Sequence, residues 1–414
     1  MSGLVHLRVG DIAEQVRGVT YGKEDASRTA QVGYLPVLRA GNITDQGLSF
    51  DDLIYIPSAR IARKQFVQKG DVVIAASSGS LDVVGKAAPA TIAFNGGFGA
   101  FCKVLRPSAK VDAAFFAHFF KTGDYRRKIS SLAAGANINN LKNEHLDDLE
   151  IALPPLQEQR RIAAILDQAE TLRTQRRAAL TQLDSLAQSV FLDMFGDPVA
   201  NPKGWPIEKF GDLGTLDRGM SKHRPRNAPE LLGGDYPLIQ TGEVSNCDGY
   251  IRSYTHTYSD IGLRQSKMWP KGTLCITIAA NIAKTGILTF DACFPDSVVG
   301  FRSDDVATVE YARVWLSFLQ KTLEDSAPES AQKNINLAIL RNLAVPVPPP
   351  PLRQIFAGRI HAVEALKGTH RSALVELDAL FASLQHRAFN GELTAARKMP
   401  IAAPRKLEEL RCPG

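Results

Sequence analysis

Few residues suited to metal or redox chemistry are present, and those few are scattered. The five cysteines of this 414-residue chain (Cys102, Cys247, Cys275, Cys293 and Cys412) are odd in number and form no Cys-x-x-Cys pair. That fits reduced thiols and argues against a disulfide framework or a zinc site. The eight histidines show no metal-ligand spacing, and His145 and His256 read as surface residues rather than bases. The N-terminus, MSGLVHLRVGD, has neither the basic stretch nor the apolar core of a secretory signal, and no apolar run spans a membrane. A cytoplasmic protein with no membrane partner is therefore expected.

Catalytic motifs are missing as well. Methyl transfer to a base amino group calls for Asn-Pro-Pro-aromatic, whereas the only Asn-Pro here, Asn201-Pro202-Lys203-Gly204-Trp205, reads as a linker turn. A metal-dependent nuclease of the restriction type needs an acidic residue, one residue, then Lys, and no Glu-x-Lys or Asp-x-Lys occurs. The nearest thing to a phosphate loop, Gly79 to Ala87, has the wrong spacing and no magnesium-binding hydroxyl, so it reads as a tight turn. No catalytic residue and no metal ligand is expected in this chain. The net charge of +6 is compatible with an anionic partner but decides nothing alone.

What the sequence does contain is a duplication. From Leu153 to Pro198 the apolar residues Ile162, Leu166, Ala169, Leu180, Leu183, Ala187, Val190 and Met194 recur in steps of three, four and their multiples. This is the seam of a helix that packs lengthwise on another helix. One shift (389 − 195 = 194) lays Leu149 on Leu343, Pro154 on Pro348, Glu170 on Glu364, Leu183 on Leu377, Asp184 on Asp378 and Phe195 on Phe389. The partner helix is thus in the same chain.

The remainder repeats more loosely. Strand-like runs at His6 to Ile12, Tyr34 to Ala40, Asp71 to Ala76 and Phe101 to Leu105, with a helical stripe at Val111 to Lys121, make an α+β domain. After Trp205, Gly211-Asp212-Leu213 echoes Gly10-Asp11-Ile12, Arg218-Gly219 echoes Arg17-Gly18, and Tyr236 to Val244 echoes Tyr34 to Ile43. Lys271 to Ile276 answers Lys69 to Ile74, Lys321-Thr322 answers Lys121-Thr122, and Asn334-Ile335-Asn336 answers Asn137-Ile138-Asn139. With 44% apolar residues the chain can bury more than one core. The expected fold class is α+β: two similar α+β domains separated by a long antiparallel two-helix coiled coil with pseudo two-fold symmetry. The expected boundaries are a first domain over 1–152, a helix over 153–198, a second domain over 199–347, a helix over 348–393 and a loosely ordered tail over 394–414. Forty residues of helix make a rod of roughly 60 Å, long enough to hold two domains at a fixed spacing.

The seam has one irregularity. Its rhythm lands on Arg173 and Arg176 in the first helix and on Lys367 and His370 at the matching places in the second. Either Leu172 and Leu366 take over the seam while the basic groups snorkel outward, or the bases form a contact surface for another subunit or for a DNA backbone.

At this point the residues carry a resemblance. Leu153-Pro154-Pro155-Leu156-Gln157-Glu158-Gln159-Arg160-Arg161-Ile162, Met194-Phe195-Gly196-Asp197-Pro198 followed by Asn201 to Pro206, and Arg387-Ala388-Phe389-Asn390-Gly391-Glu392-Leu393 resemble the specificity subunits of type I restriction-modification enzymes. The likeness covers almost the whole chain, as two target recognition domains alternating with two spacers. One departure is the stretch Pro348 to Gln354, which lacks the usual Glu-Gln. The resemblance implies a non-catalytic subunit that reads a bipartite target in double-stranded DNA, one half-site per domain. It also implies docking to two modification subunits, which hold S-adenosylmethionine, and to restriction subunits, which hold ATP and magnesium. Two readers on a rod fit major grooves about 34 Å apart, one helical turn of DNA.

Direct readout sets Arg or Lys against guanine and Asn or Gln against adenine. The candidates are Arg39, Asn42, Ser77, Ser78 and Lys86 in the first domain and Lys222, Arg224, Gln240, Thr241, Asn281 and Lys284 in the second. Arg39 and Gln240, Asn42 and Glu243, and Lys86 and Lys284 fall at matching places in the repeat. For each, a solvated or turn-capping role competes with base contact. Arg60, Arg63, Lys64, Arg126, Arg127 and Lys128 suit phosphate, since such runs give affinity without sequence information. Two other functions stay open: a DNA-modifying enzyme complete in one chain, and a coiled-coil scaffold joining two protein-binding domains.

Overall fold

In both halves of the chain a proline pair separates a strand from a long helix. Glu150–Leu153 is a strand, Pro154-Pro155 stops it, and a helix of 40 residues runs over Leu156–Phe195; Ala344–Pro346 is likewise a strand, followed by a 40-residue helix over Pro350–Phe389. Both helices end at a glycine in the left-handed region, Gly196 (φ 79) and Gly391 (φ 72). At the second, the Gly391 and Glu392 N–H groups return to the carbonyls of Ala388 and Arg387, which satisfies the last turn. The structure, a computed structural model, describes residues 4–80, 82–134, 140–279, 282–326 and 335–393. Asn137 to Asn139, Asn281, Asn334, Cys412 and the tail from Thr394 lie outside the described residues.

The chain divides into two compact units, Met1–Gln175 with Leu374–Gly414 and Arg176–Ala373. Each contains one α+β domain and one half of each long helix. In the first unit a four-stranded antiparallel sheet has the order Ala13–Arg17, Cys102–Pro107, Val72–Ala75, Ala87–Pro89. A three-stranded sheet orders Ile54–Pro57, Tyr34–Leu38 and Gly97–Phe98. In the second unit the corresponding sheet gains a fifth strand: Thr215–Arg218, Val298–Arg302, Leu274–Thr277, Thr285–Leu288, Tyr250–Ile251.

Strand Val72–Ala75 is buried on both faces, and its period of two divides the core. Val72 and Ile74 pack with Phe115, Phe116 and the helix residues Ile162 and Leu166, while Val73 and Ala75 pack with Leu38 and Phe98. The second unit repeats this. Leu274 and Ile276 face Trp315, Phe191 and Phe356, and Cys275 faces Trp269 and Phe294. The sheet core of each domain is therefore closed by the long helices of its own unit.

Backbone bonds confirm most of the repeat. Val9 and Phe210 donate to Leu149 and Leu343, at the expected shift, and Arg39 and Gln240 both donate to a side chain three residues on, Asn42 and Glu243. Three readings need correction. The run from His6 is a strand only over Val5–Arg8, after which Val9–Ile12 forms a helical turn that buries Val9 and Ile12. Lys121-Thr122 lies at the break between helices Ala113–Phe119 and Gly123–Ala134, whereas Lys321-Thr322 is inside one helix, Val306–Ser326, so this echo is one of sequence alone. Ile335 donates to Ile278, and its counterpart in the first unit is Leu141, which donates to Ala76; the true match for Ile335 is three residues beyond Ile138.

The seam also departs from the leucine reading. Leu172 and Leu366 are exposed, whereas Lys367 is buried and Arg173, Arg176 and His370 are half-buried. In the first unit Arg173 is bound by Glu170, three residues back on its own helix, and by Asp378 of the facing helix at 2.5 Å, and its guanidinium lies 4.3 Å from the Phe381 ring centroid. In the second unit Lys367, 3% exposed, is bound by Glu364, three residues back, by Asp184 of the facing helix at 2.7 Å and by Asp248 of the domain at 2.9 Å. Under the 194-residue shift these are the same contacts. Arg176 Nη1 meets His370 Nδ1 at 3.2 Å, a position facing its own repeat, as antiparallel pairing requires. Burial alone would raise the Asp248 carboxyl, but Lys367 and Arg371 hold it below the usual range. Burial would likewise lower Lys367, and Asp184 and Asp248 raise it instead.

Two predictions follow from this chemistry. Lys367→Met removes the cation shared by Asp184, Asp248 and Glu364, leaving Arg371 beside the last two, and is expected to cost about 3 kcal/mol in a denaturation experiment at neutral pH. The contribution of Asp248 is present above its ordinary value of 3.8 and is lost as pH falls through its lower folded value, while that of Lys367 is lost as pH rises through a folded value above 10.5. The Lys367→Met deficit is thus expected to be constant between those limits. Ala283, at φ 58, occupies the place of Gly85 (φ 78), each donating to the strand end at Thr277 or Ala75. Ala283→Gly relieves a left-handed alanine and is expected to stabilise by about 0.5–1 kcal/mol, read as a small rise in melting temperature.

Candidate nucleic-acid interface

In the first unit the ends of three strands are drawn together by backbone bonds. Val19 N–H donates to Phe98 at 2.7 Å, Gly99 N–H to Leu38 at 2.9 Å, and the Ala76 and Ser77 N–H groups both to Phe101. Gly18 permits this, since a Cβ there would lie 2.0 Å from the Gly99 oxygen. The loops leave between them an open cavity of 980 Å³ whose lining includes Thr20, Tyr21, Arg39, Ser77, Ser78 and Phe101. Arg39 Nη2 donates to the Asp52 backbone and carboxylate, both at 2.7 Å, and its Nε is buried with no partner. Burial raises the Tyr21 phenol, with Arg39 acting against the rise. Phe101 is 68% exposed, a large apolar face at the mouth of a loop cluster.

The arrangement offers an oriented guanidinium, two hydroxyls and two aromatic rings. A guanidinium held by a carboxylate from behind can present a fork to a base edge, and aromatic faces can stack on bases. Among the described residues no group of three or more His, Cys, Asp or Glu side chains is arranged to hold a metal ion.

Of the first-domain candidates the fold brings Arg39, Ser77 and Ser78 to this cavity. Lys86 lies elsewhere, 3.5 Å from Asp45. Asn42 needs correction as a base reader. It is 4% exposed, its Oδ1 accepts the Arg39 N–H at 2.8 Å and its Nδ2 donates to Asp51 at 2.8 Å, so the amide holds the loop that presents Arg39. Arg126 is corrected likewise, since its two terminal nitrogens donate to the carbonyls of Val84 and Asp82. Arg127 pairs with Asp124 on its own helix and Arg60 with Asp25. Arg63, Lys64 and Lys128 are exposed and form no ion pair among the described residues.

In the second unit Gln240 and Thr241 stand where Arg39 and Ala40 stand in the first, Gln240 exposed at the start of helix Thr241–Asn246. Lys222 is exposed, Arg224 donates to the carbonyls of Ser221 and His223, and Arg224 and Arg226 both approach Asp296. Lys284 is half-buried, and Asn281 lies outside the described residues.

Sequence reasoning missed Tyr21, Asp52 and Phe101. Phe101 looked like the first residue of a strand, but the strand begins at Cys102 and the ring falls on the outside. Its position directly after Gly-Ala, between a glycine-rich turn and an alternating strand, is the signal that could have set it apart.

A comparison with protein families matches the type I restriction modification DNA specificity domain at residues 1–182 and 202–376. Similar proteins include the type I restriction enzyme EcoKI specificity subunit of Escherichia coli K12, 29% identical over 95% of this chain and 90% of that one. The StySPI specificity subunit of Salmonella potsdam is 28% identical over 94% and 88%. Among solved structures, a type I restriction-modification S subunit from M. genitalium aligns with a TM-score of 0.56 at 15% identity, over 94% of this chain and 96% of the other, a likeness of fold.

Loop support and loop surface separate in a melting experiment. Asn42→Ala strands two backbone partners and is expected to cost about 2 kcal/mol, while Phe101→Ala is expected to change stability by less than about 0.5 kcal/mol.

Proposed function

The chain belongs to the type I restriction-modification DNA specificity family, and from that premise we propose how it divides the reading of its target. It is a DNA-recognition subunit and not an enzyme, and specificity subunits of this kind bind DNA and assemble with other subunits. Each α+β domain reads one half-site of a bipartite sequence. The observation that carries this is the partly repeated loop platform: Met220 N–H donates to Phe294 and Ile278 N–H to Ser297, where Val19 donates to Phe98 and Ala76 to Phe101, and the side chains on it differ, Arg39 in one unit and Gln240 in the other.

In the first domain Arg39, Ser77 and Ser78 contact base edges, and Tyr21 and Phe101 pack against the exposed base or sugar surface. In the second, Lys222, Arg224, Gln240, Thr241, Asn281 and Lys284 are the candidates for this role. Arg63, Lys64 and Lys128 meet phosphates, with Arg60 and Arg127 free to join once they leave their exposed carboxylates. Two modification subunits supply S-adenosylmethionine and the methyl transfer, and restriction subunits supply ATP, magnesium and cleavage. Leu172 and Leu380 in the first unit have exposed repeat counterparts in the second, Leu366 and Leu186, which gives each unit the same apolar pair to offer a modification subunit. The setting is the cytoplasm, where the DNA is.

The test is selection of bound sequences from a random library by the assembled methyltransferase carrying Arg39→Ala. Relaxed preference at one or two adjacent positions of a single half-site is expected, worth about 1–3 kcal/mol against the wrong base, with the other half-site unchanged. Equal relaxation in both half-sites, or none, would overturn the assignment. Arg63→Ala with Lys64→Ala is expected to weaken all sequences alike and to flatten the salt dependence.

A further inference from the structure

The two units differ at one sheet edge. In the second unit the edge strand Thr285–Leu288 is covered by Tyr250–Ile251, held by Ile287 N–H to Gly249 at 3.0 Å and Thr289 N–H to Ile251 at 3.3 Å. Tyr250 reaches under this edge to helix Val306–Ser326, where its hydroxyl donates to the 2% exposed Glu310 and its ring lies 5.1 Å from the Arg313 guanidinium. Two residues before it, Asp248 pairs with Lys367 and Arg371.

In the first unit the matching edge strand, Ala87–Pro89, ends its sheet with no strand beyond it among the described residues. The bonds Gly70 N–H to Ala90 and Gly272 N–H to Leu288 set Pro89 opposite Ile287 and Thr91 opposite Thr289. Pro89 has no N–H to give, and the segment Gly47–Leu48, which packs against this strand, forms no ladder with it as Tyr250–Ile251 does in the second unit. Beneath the edge is a cavity of 550 Å³ between Pro89, Ala113, Ala117 and His118, lined also by Lys69, Lys121 and Asp167, the last of these held by His118. Counted from the capping residues Asp112 and Asp305, Ala117 falls where the second unit has Glu310, so the side-chain space that Tyr250 fills there stays open here. His118 Nε2 meets Asp167 Oδ1 at 2.7 Å, and its Nδ1 is buried with no partner. With the proton on Nε2 facing the carboxylate, Nδ1 is a bare acceptor.

We propose that this cavity is a docking site for a partner polypeptide that inserts a tyrosine flanked by an acidic residue, in the manner of Asp248 to Ile251 in the second unit. The phenol O–H supplies the donor that His118 Nδ1 lacks, the ring fills the alanine-walled space, and the acidic residue answers Lys69 and Lys121. An extended backbone can still accept from Thr91 N–H beside the proline. The site goes beyond DNA reading and gives the first unit a partner contact that the second, already filled by its own chain, does not offer.

The test uses the full chain and a labelled peptide reproducing residues 246–253 with serine for cysteine, followed by fluorescence anisotropy. Saturable binding is expected, weakened ~10-fold or more by Tyr→Ala in the peptide or by Ala117→Phe in the protein. Lys121→Glu, a half-buried position that leaves the core intact, is expected to weaken binding several-fold, and Tyr→Phe in the peptide should fall between tyrosine and alanine. No saturable binding to the wild-type chain, or binding indifferent to both Ala117→Phe and Lys121→Glu, overturns the proposal. DNA sequence preference is expected to be untouched by Lys121→Glu, so failure here is separable from failure of the DNA-reading assignment.

Discussion

A cation buried between carboxylates that come from distant parts of the chain is the interaction on which the frame depends. Lys367 meets Glu364 on its own helix, Asp184 on the facing helix and Asp248 from the domain; Arg173 meets Glu170 and Asp378. Apolar seams of leucine and alanine tolerate slippage, because one methyl-lined hole resembles the next. A desolvated charge does not, since sliding it by one turn strips its partners and leaves several kcal/mol of unpaid desolvation. The clasp thus sets the register of the two helix halves in each unit, and the helices in turn close the core behind each sheet.

That arrangement also shows what was legible beforehand. The two helices, their proline boundaries and the 194-residue shift were readable because duplication leaves residue-by-residue copies, and the strands were readable from their period of two. The role of Arg173 and Lys367 was not, because the partners that neutralise them, Asp378, Asp184 and Asp248, are more than a hundred residues away in sequence. A local pattern shows like charges in a seam and therefore pushes them outward. Asn42 illustrates the same limit at the candidate site: its amide is consumed by Arg39 and Asp51, contacts that the residue type alone does not disclose.

Duplication has been followed by division of labour. Two of the backbone bonds that shape the loop platform, from Val19 and Ala76 in one unit and from Met220 and Ile278 in the other, persist while the side chains on it differ, which lets each half drift toward its own target without loss of fold. The same divergence reached the sheet edge, where a proline in one unit and a strand in the other leave one pocket open and one closed. Conserved frame and variable furnishing are thus separated in space as well as in sequence.

The central claim is that each domain reads its half of the target independently. The most direct measurement maps methylated adenines made by the assembled methyltransferase after residues 1–152 are exchanged for those of a relative with a different target. The account predicts a hybrid sequence in which one half-site is the donor's and the other is unchanged. Methylation of the original sequence, or of a sequence altered in both halves, would contradict it.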